Sequence, residues 1–259
     1  MRRHYCLVMN HLPCFKCFQP NFKGMNTLEL LNKPKIRIDV VSDVVCPWCY
    51  IGKRRLEKAL DQLSNQYEFE VEYQPFELNP DMPKEGVNQK EYLSKKFGGE
   101  ARYQQITDQT TQTAAIEGLK FDFSKQKVSP NTRDAHRIIF LSKEEGKQAQ
   151  TNEAFMKAYF EEGIDLSKKE NLMAVAVKAG LSEKKVESWL DSDKGLAEVE
   201  LSEQTSHQRG ISGVPFFIIN NKYGVSGAQP SEAFIDMLTQ VGKEVVTQGE
   251  SCDVDAKNC

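Results

Sequence analysis

Between Lys35 and Leu63 the apolar period changes once, and the change falls on Cys46-Pro47-Trp48-Cys49. Before it, Ile36, Ile38 and Val40 alternate with Arg37 and Asp39, the period-two pattern of a strand. After it, Leu56, Ala59, Leu60 and Leu63 recur at helical spacing. Pro47 stands where the helix begins, where its missing N–H costs nothing and its fixed φ already suits a first turn. A strand that feeds a helix through a two-cysteine turn constrains the chain strongly: this end must belong to an α/β layer.

The rest of the pattern places that layer. Tyr67, Phe69, Val71 and Tyr73 alternate with Glu68, Glu70 and Glu72, predicting a second strand with one buried and one solvated face. From about Asp81 to Gln208 the period is helical. Phe155, Met156, Tyr159 and Phe160 share one face, and Leu172, Val175, Ala176 and Ala179 share another before Gly180. Ser182 is expected to cap a helix carrying Val186, Trp189 and Leu190. Pro215-Phe-Phe-Ile-Ile reads as a strand, Asn220-Asn221 as a turn, and Tyr223 to Ser226 as the returning strand. A last helix is expected from Ser231 to about Val241. The chain therefore divides into an extension (1–34), a discontinuous α/β domain (35–83 and 209–243), an all-helical insertion (84–208) and a polar tail (244–259).

Composition excludes several classes. With 259 residues, 39% hydrophobic and 27% charged, the chain has enough apolar surface for a core and is not disordered. No apolar run approaches the roughly 20 residues of a membrane-spanning helix. A net charge of −3 argues against a dedicated nucleic-acid binder. Residues 1–28 hold Arg2, Arg3, Lys16 and Lys23 and no acid, so beyond them 30 of the 34 basic residues face 37 acidic ones. His4, Asn10, His11 and Lys16 interrupt any signal-peptide apolar region, which predicts a cytoplasmic, reducing location. Met25 is an alternative start, and residues 1–24 are expected to be a poorly ordered tail.

Cys46 and Cys49 can close a small disulfide at a helix start. There the unpaired N–H groups and the helix dipole favour a thiolate on the first cysteine. Such a thiolate attacks a disulfide, and the second cysteine resolves the mixed disulfide. Pro47 stiffens the turn; Trp48 adds bulk without charge. A zinc half-site is the bland reading of any CxxC. The second pair, Cys14 and Cys17, is separated from Cys46 by 28 residues, against the 15–20 of two-knuckle zinc sites. No metal is expected at Cys46/Cys49. The other cysteines, Cys6, Cys252 and Cys259, have no clear partner; Cys252 and Cys259 would close an accessory disulfide or stay free.

Several segments carry a family resemblance. Val-Ser-Asp-Val-Val-Cys-Pro-Trp-Cys-Tyr-Ile-Gly-Lys-Arg (41–54) resembles the active-site segment of DsbA-family thioredoxin-like dithiol–disulfide oxidoreductases, in the FrnE-like branch. Phe-Glu-Leu-Asn-Pro-Asp-Met-Pro (76–83), Asn-Thr-Arg-Asp-Ala-His-Arg (131–137), Gly-Ile-Ser-Gly-Val-Pro-Phe-Phe (210–217) and Val-Ser-Gly-Ala-Gln-Pro (225–230) resemble further parts of that branch. The likeness runs from about Lys35 to Gly242. It implies a thioredoxin-like fold with a large helical insertion, and oxidoreductase or isomerase activity on protein or small-molecule disulfides. It implies a cis Val214-Pro215 bond beside the cysteines, with the Val214 backbone left to pair with substrate. It implies no cofactor beyond the redox-active Cys46–Cys49 pair, a cellular thiol as reductant and glutathione as a candidate co-substrate, with no nucleic-acid or membrane partner.

The supporting residues stay open at this level. Asp39 and Asp43 are each a proton relay for the buried cysteine or a strand-end acid. The resemblance puts Asn131 and His136 on an insertion helix, where they face the cleft or merely pack. Glu77 lines the cleft or ends a strand, and Phe76 joins Trp48 in an apolar landing surface or belongs to the core. The rival functions are a kappa-class type of glutathione-dependent isomerase or transferase, a non-catalytic chaperone-like binding module, and a metal-binding protein.

Overall fold

The sheet is assembled from the two ends of the chain. The computed structural model describes residues 33–253, with side chains through residue 247. Strand β1 (Lys35–Ser42) pairs in parallel with β2 (Glu68–Pro75) and antiparallel with β5 (Phe216–Ile219), which pairs with β6 (Tyr223–Ser226), giving the order β2-β1-β5-β6. Parallel neighbours need a crossover, and α1 (Pro47–Leu63) supplies it. The β5–β6 turn uses Asn220 and Asn221 at φ 49° and 56°. Asparagine tolerates this left-handed backbone better than other side chains. Asn220 also accepts the Arg37 N–H at 2.8 Å, tying the turn to β1.

Strand alternation gives the sheet two unlike faces. Ile36, Ile38 and Val40 join Ile51, Leu56 and Ala59 of α1 in the main core, with Phe234 and Leu238 of α9 (Ser231–Asp253). On the other face Val41 packs with Phe76, Ile211 and Ile218 in a smaller cluster.

Between β2 and β5 lie α2 (Gln89–Phe97), α3 (Glu100–Ile116), α4 (Arg133–Glu144), α5 (Gln148–Lys157), α6 (Lys169–Lys178), α7 (Glu183–Leu190) and α8 (Leu196–Gln208). The described residues from Pro34 on form one compact unit. Two links fasten the helical part to α1. Tyr50 stacks on Phe121 at 5.8 Å and Phe121 on Phe160 at 4.6 Å. Buried Lys53 donates to Glu153 of α5 at 2.6 Å, and Tyr50 and Arg54 donate to the same carboxylate.

Several expectations are corrected. The insertion is not purely helical: β3 (Val87–Asn88) and β4 (Val128–Ser129) form a two-residue ladder. The last helix does not stop near Val241 but runs on to Asp253, through the boundary drawn at residue 244. Ser182 sits at the start of α7, yet its hydroxyl makes no capping bond. The Glu68/Glu70/Glu72 face is not simply solvated. Arg37 on β1 reaches Glu72 at 2.8 Å, Lys35 pairs with Glu70 at 2.9 Å, and Lys143 also holds Glu72. Parallel pairing sets Lys35 opposite Glu68 and Arg37 opposite Glu70, so basic and acidic residues on the two strands become neighbours.

Candidate active site

Cys46 caps α1 in extended conformation at φ −91° and ψ 112°, with Pro47 as the first helical residue. Its sulfur makes no capping bond, and the first turn holds no acid. The Cys46 carbonyl takes the N–H of Cys49 at 3.1 Å and that of Tyr50 at 3.4 Å. One turn in, Cys49 is buried. Both cysteines are unpaired. Burial pushes the Cys49 thiol well up, and the neighbouring Cys46 and the Asp43 charge add to it. The deeper cysteine is thus held as a thiol, as a resolving residue must be before its turn.

The Val214-Pro215 bond is cis. Cys46 Sγ lies 3.6 Å from the Val214 carbonyl oxygen and donates to it. Gly52 makes this approach possible. A Cβ there would stand 3.2 Å from Pro215 Cγ and 3.2 Å from Phe217 Cζ, so the bare helix lets the strand start lie close.

Beneath the cysteines lies a buried charged cluster. Asp43 Oδ2 accepts the Leu78 N–H at 2.8 Å, and its backbone carbonyl accepts the Cys46 N–H at 3.1 Å. His136 Nε2 is 3.3 Å from Asp43 Oδ1. Nε2 has no other partner, so the Asp43 carboxylate is the group that this buried imidazole faces. Burial lowers the His136 pKa, but the Asp43, Glu203 and Glu77 charges outweigh it and the net direction is upward. Glu77 is buried with one oxygen on Arg133 Nε at 2.8 Å and the other unpartnered. Burial raises its carboxyl pKa despite Arg133.

The other expected residues scatter. Asp39 is buried on the sheet face opposite α1, where Arg37 Nη2 at 2.9 Å and Gln74 Nε2 at 3.0 Å use the same oxygen. It makes no described contact with either cysteine. Asn131 lies before α4 rather than on it. Its amide donates to the Met82 carbonyl at 2.8 Å and accepts from the Arg133 N–H at 3.0 Å, so it ties a loop together. Phe76 is core, packed near His207. Trp48 is 40% exposed at the site rim.

A groove of about 350 Å³ opens beside Cys46, between α1 and the α2–α3 pair. Its lining includes Trp48, Tyr92, Phe97, Ile106, Phe123 and Phe160. The turn that follows α5, Ala158–Glu162, is a π-helical one. It leaves the Tyr159 carbonyl to accept from Gln126 at 3.2 Å and the Phe160 carbonyl to accept from Asp122 at 2.8 Å, which seats both aromatic residues in the groove wall. Nothing in the α2–α3 sequence marks these residues as site residues; a helical stripe reads as core. Gln148 was equally silent. Its side chain pairs with both backbone groups of Tyr73, at 2.9 and 3.0 Å, on edge strand β2.

The model for the DsbA-like thioredoxin domain matches residues 37–239. The chain belongs to that family. Within the DsbA-like family it is similar to a probable DsbA oxidoreductase of Streptomyces coelicolor, at 36% identity and a TM-score of 0.75 over 79% of this chain and 89% of that one. YwbO of Bacillus subtilis, itself uncharacterised, is 26% identical over 81% of this chain and 98% of its own length. The cytosolic disulfide reductase DsbM of Pseudomonas aeruginosa, solved with glutathione, shares the fold at 14% identity and a TM-score of 0.58, over 79% of this chain and 98% of that one. In this DsbA-like chain no group of three or more histidine, cysteine or acidic residues suited to a metal occurs among the described residues. Nor is any described helix long and apolar enough to cross a membrane. Cys6, Cys14, Cys17, Cys259, His4, His11 and Met25 lie outside the described residues, as does the side chain of Cys252.

Proposed function

We propose that the chain is a dithiol–disulfide oxidoreductase in which Cys46 attacks a substrate disulfide and Cys49 resolves the product. The observation that carries this reading is the contrast between the two cysteines. Both are buried, but Cys46 stands at the helix start against the Val214 carbonyl and on the groove lining, while Cys49 lies one turn deeper with its thiol pKa pushed up. In the first step the Cys46 thiolate forms a mixed disulfide and expels one substrate thiolate. In the second the Cys49 thiolate attacks the Cys46 sulfur, releases the other substrate thiol and leaves the Cys46–Cys49 disulfide. Asp43, whose charge reaches Cys49, takes the proton of resolution, with His136 beside it. Val214 would hold the substrate backbone across the cleft.

A cellular thiol regenerates the dithiol, and glutathione is the candidate, as in the DsbM complex. A cytoplasmic setting suits reductase or isomerase work better than net oxidation. Cys46→Ser should reduce exchange with a small disulfide to background, while Cys49→Ala should accumulate mixed disulfides visible by mass spectrometry. Full activity of the Cys46 variant sinks the assignment. Activity surviving without Cys49 but requiring bound glutathione would favour the isomerase or transferase alternative.

A further inference from the structure

The groove beside Cys46 has an unusual balance of surfaces. Its walls are Tyr92, Phe97, Ile106, Phe123 and Phe160, and Lys96 is the one charged side chain on its lining. No carboxylate lines it. Lys96 is exposed on α2, its Nζ held 3.0 Å from Asn79 Oδ1 and 5.5 Å from the Tyr92 ring centroid. Tyr92 Oη donates to the same Asn79 oxygen at 2.5 Å, so the cation is anchored at the mouth rather than free to swing. Cys46 itself is only 4% exposed and is a lining residue, so a substrate sulfur approaches it through the groove.

Resting on the oxidoreductase reading above, we propose that this groove selects small disulfides in which each half carries an aromatic or alicyclic body and a single carboxylate. The body would fill the apolar walls next to Cys46 and the carboxylate would meet Lys96. The volume of about 350 Å³ lies at the small-ligand end of binding pockets. Glutathione matches this lining less well, so it can serve as a reductant yet be a slower substrate. Each half carries two carboxylates and an ammonium, and the lining offers one cation and no acid. The chemistry is ordinary exchange. The Cys46 thiolate bonds to the nearer substrate sulfur and breaks the substrate S–S bond, then Cys49 displaces the second half. One substrate disulfide becomes two thiols, the protein dithiol becomes a disulfide, and an added dithiol restores it.

The test uses the full chain, reduced and freed of reductant, against four probes. These are the symmetrical disulfide of 4-(mercaptomethyl)benzoate, its neutral methylamide analogue, oxidised glutathione and 2-hydroxyethyl disulfide. Each rate is divided by the rate of free dithiothreitol with the same probe, which removes intrinsic reactivity. The benzoate should exceed oxidised glutathione at least about tenfold, as expected from burying one aromatic ring. It should exceed its neutral amide about fivefold, the size of one partly solvated charge contact. Lys96→Met should bring the acid-to-amide ratio to about one, and Lys96→Arg should restore it. Oxidised glutathione matching or outpacing the benzoate overturns the proposal, as does a ratio that Lys96→Met leaves unchanged. Exchange with 2-hydroxyethyl disulfide reports the underlying reading separately: if it is no faster than for Cys46→Ser, the oxidoreductase assignment fails and the selectivity with it.

Discussion

The sulfur of Cys46 and the carbonyl oxygen of Val214 lie 3.6 Å apart although 168 residues separate them in the chain. Helix α1 supplies the thiol and the start of β5 supplies the backbone opposite it. Their approach depends on β1 pairing with β5 and on the missing side chain at Gly52.

Gly52→Val should therefore be felt at the site as well as in stability. Its Cβ would press on Pro215 Cγ, Phe217 Cζ and the Ala228 backbone, the last at 3.4 Å. Overpacking of this kind costs about 1–3 kcal/mol. We expect a lower urea midpoint and slower disulfide exchange measured on the same sample. A variant with a lowered midpoint and wild-type exchange would show that the Cys46–Val214 spacing does not matter.

Asp43→Asn separates two roles of one carboxylate. The charge of Asp43 contributes to raising Cys49, so losing it lowers the Cys49 pKa. As a proton acceptor its loss should nonetheless slow resolution of a Cys46 mixed disulfide, by about 100-fold for a general base. Rapid-quench kinetics of resolution distinguish the two, because a faster variant would remove Asp43 from the proton route. The amide oxygen can still accept the Leu78 N–H, so the loop should hold.

The His136–Asp43 pair makes stability fall as the solution becomes more alkaline. The His136 pKa is raised in the fold. Its contribution is therefore complete below the unfolded histidine value of about 6.5 and is lost as pH rises through the folded value. Buried Glu77, also raised, acts in the same direction from its own unfolded value upward. Urea midpoints across pH 6 to 9 should decline for the wild type and decline less for His136→Asn.

Glu153 works with the opposite sign. Although burial alone would raise it, Lys53, Tyr50 and Arg54 hold its carboxyl below the usual range. It stabilises above the unfolded value of about 4.5 and that contribution is lost as pH falls through the folded one. Glu153→Gln should cost about 1–2 kcal/mol near neutrality. This is less than for breaking an isolated buried pair, because Lys53 keeps Glu57 at 2.5 Å. It should also flatten the acid limb of the stability curve, read by urea titration at pH 4 and 7.

The parts legible in the chain were those written in local pattern. The change of period at Cys46 placed strand, turn and helix, and Pro47 and Cys46 took the first helical and capping positions expected of them. The alternating run from Tyr67 and the Asn220-Asn221 turn were equally readable, because side-chain direction in a strand and left-handed backbone in a turn are decided within a few residues. Asp39 shows the limit. Its place near Cys46 in sequence suggested a proton relay, yet strand alternation turns it to the other sheet face and gives it to Arg37 and Gln74.

By itself the sequence determined the α/β framework, the two cysteines and the helix that holds them, since period, capping and turn chemistry are local. Only the tertiary structure decided what surrounds the sulfurs. It brought His136 to Asp43, Val214 to Cys46, Glu153 to Lys53, and the α2–α3 side chains to the groove wall. Each of these contacts joins residues far apart in the chain. Burial, ion pairing and cavity shape there arise from packing between elements, and no short stretch of sequence encodes that packing.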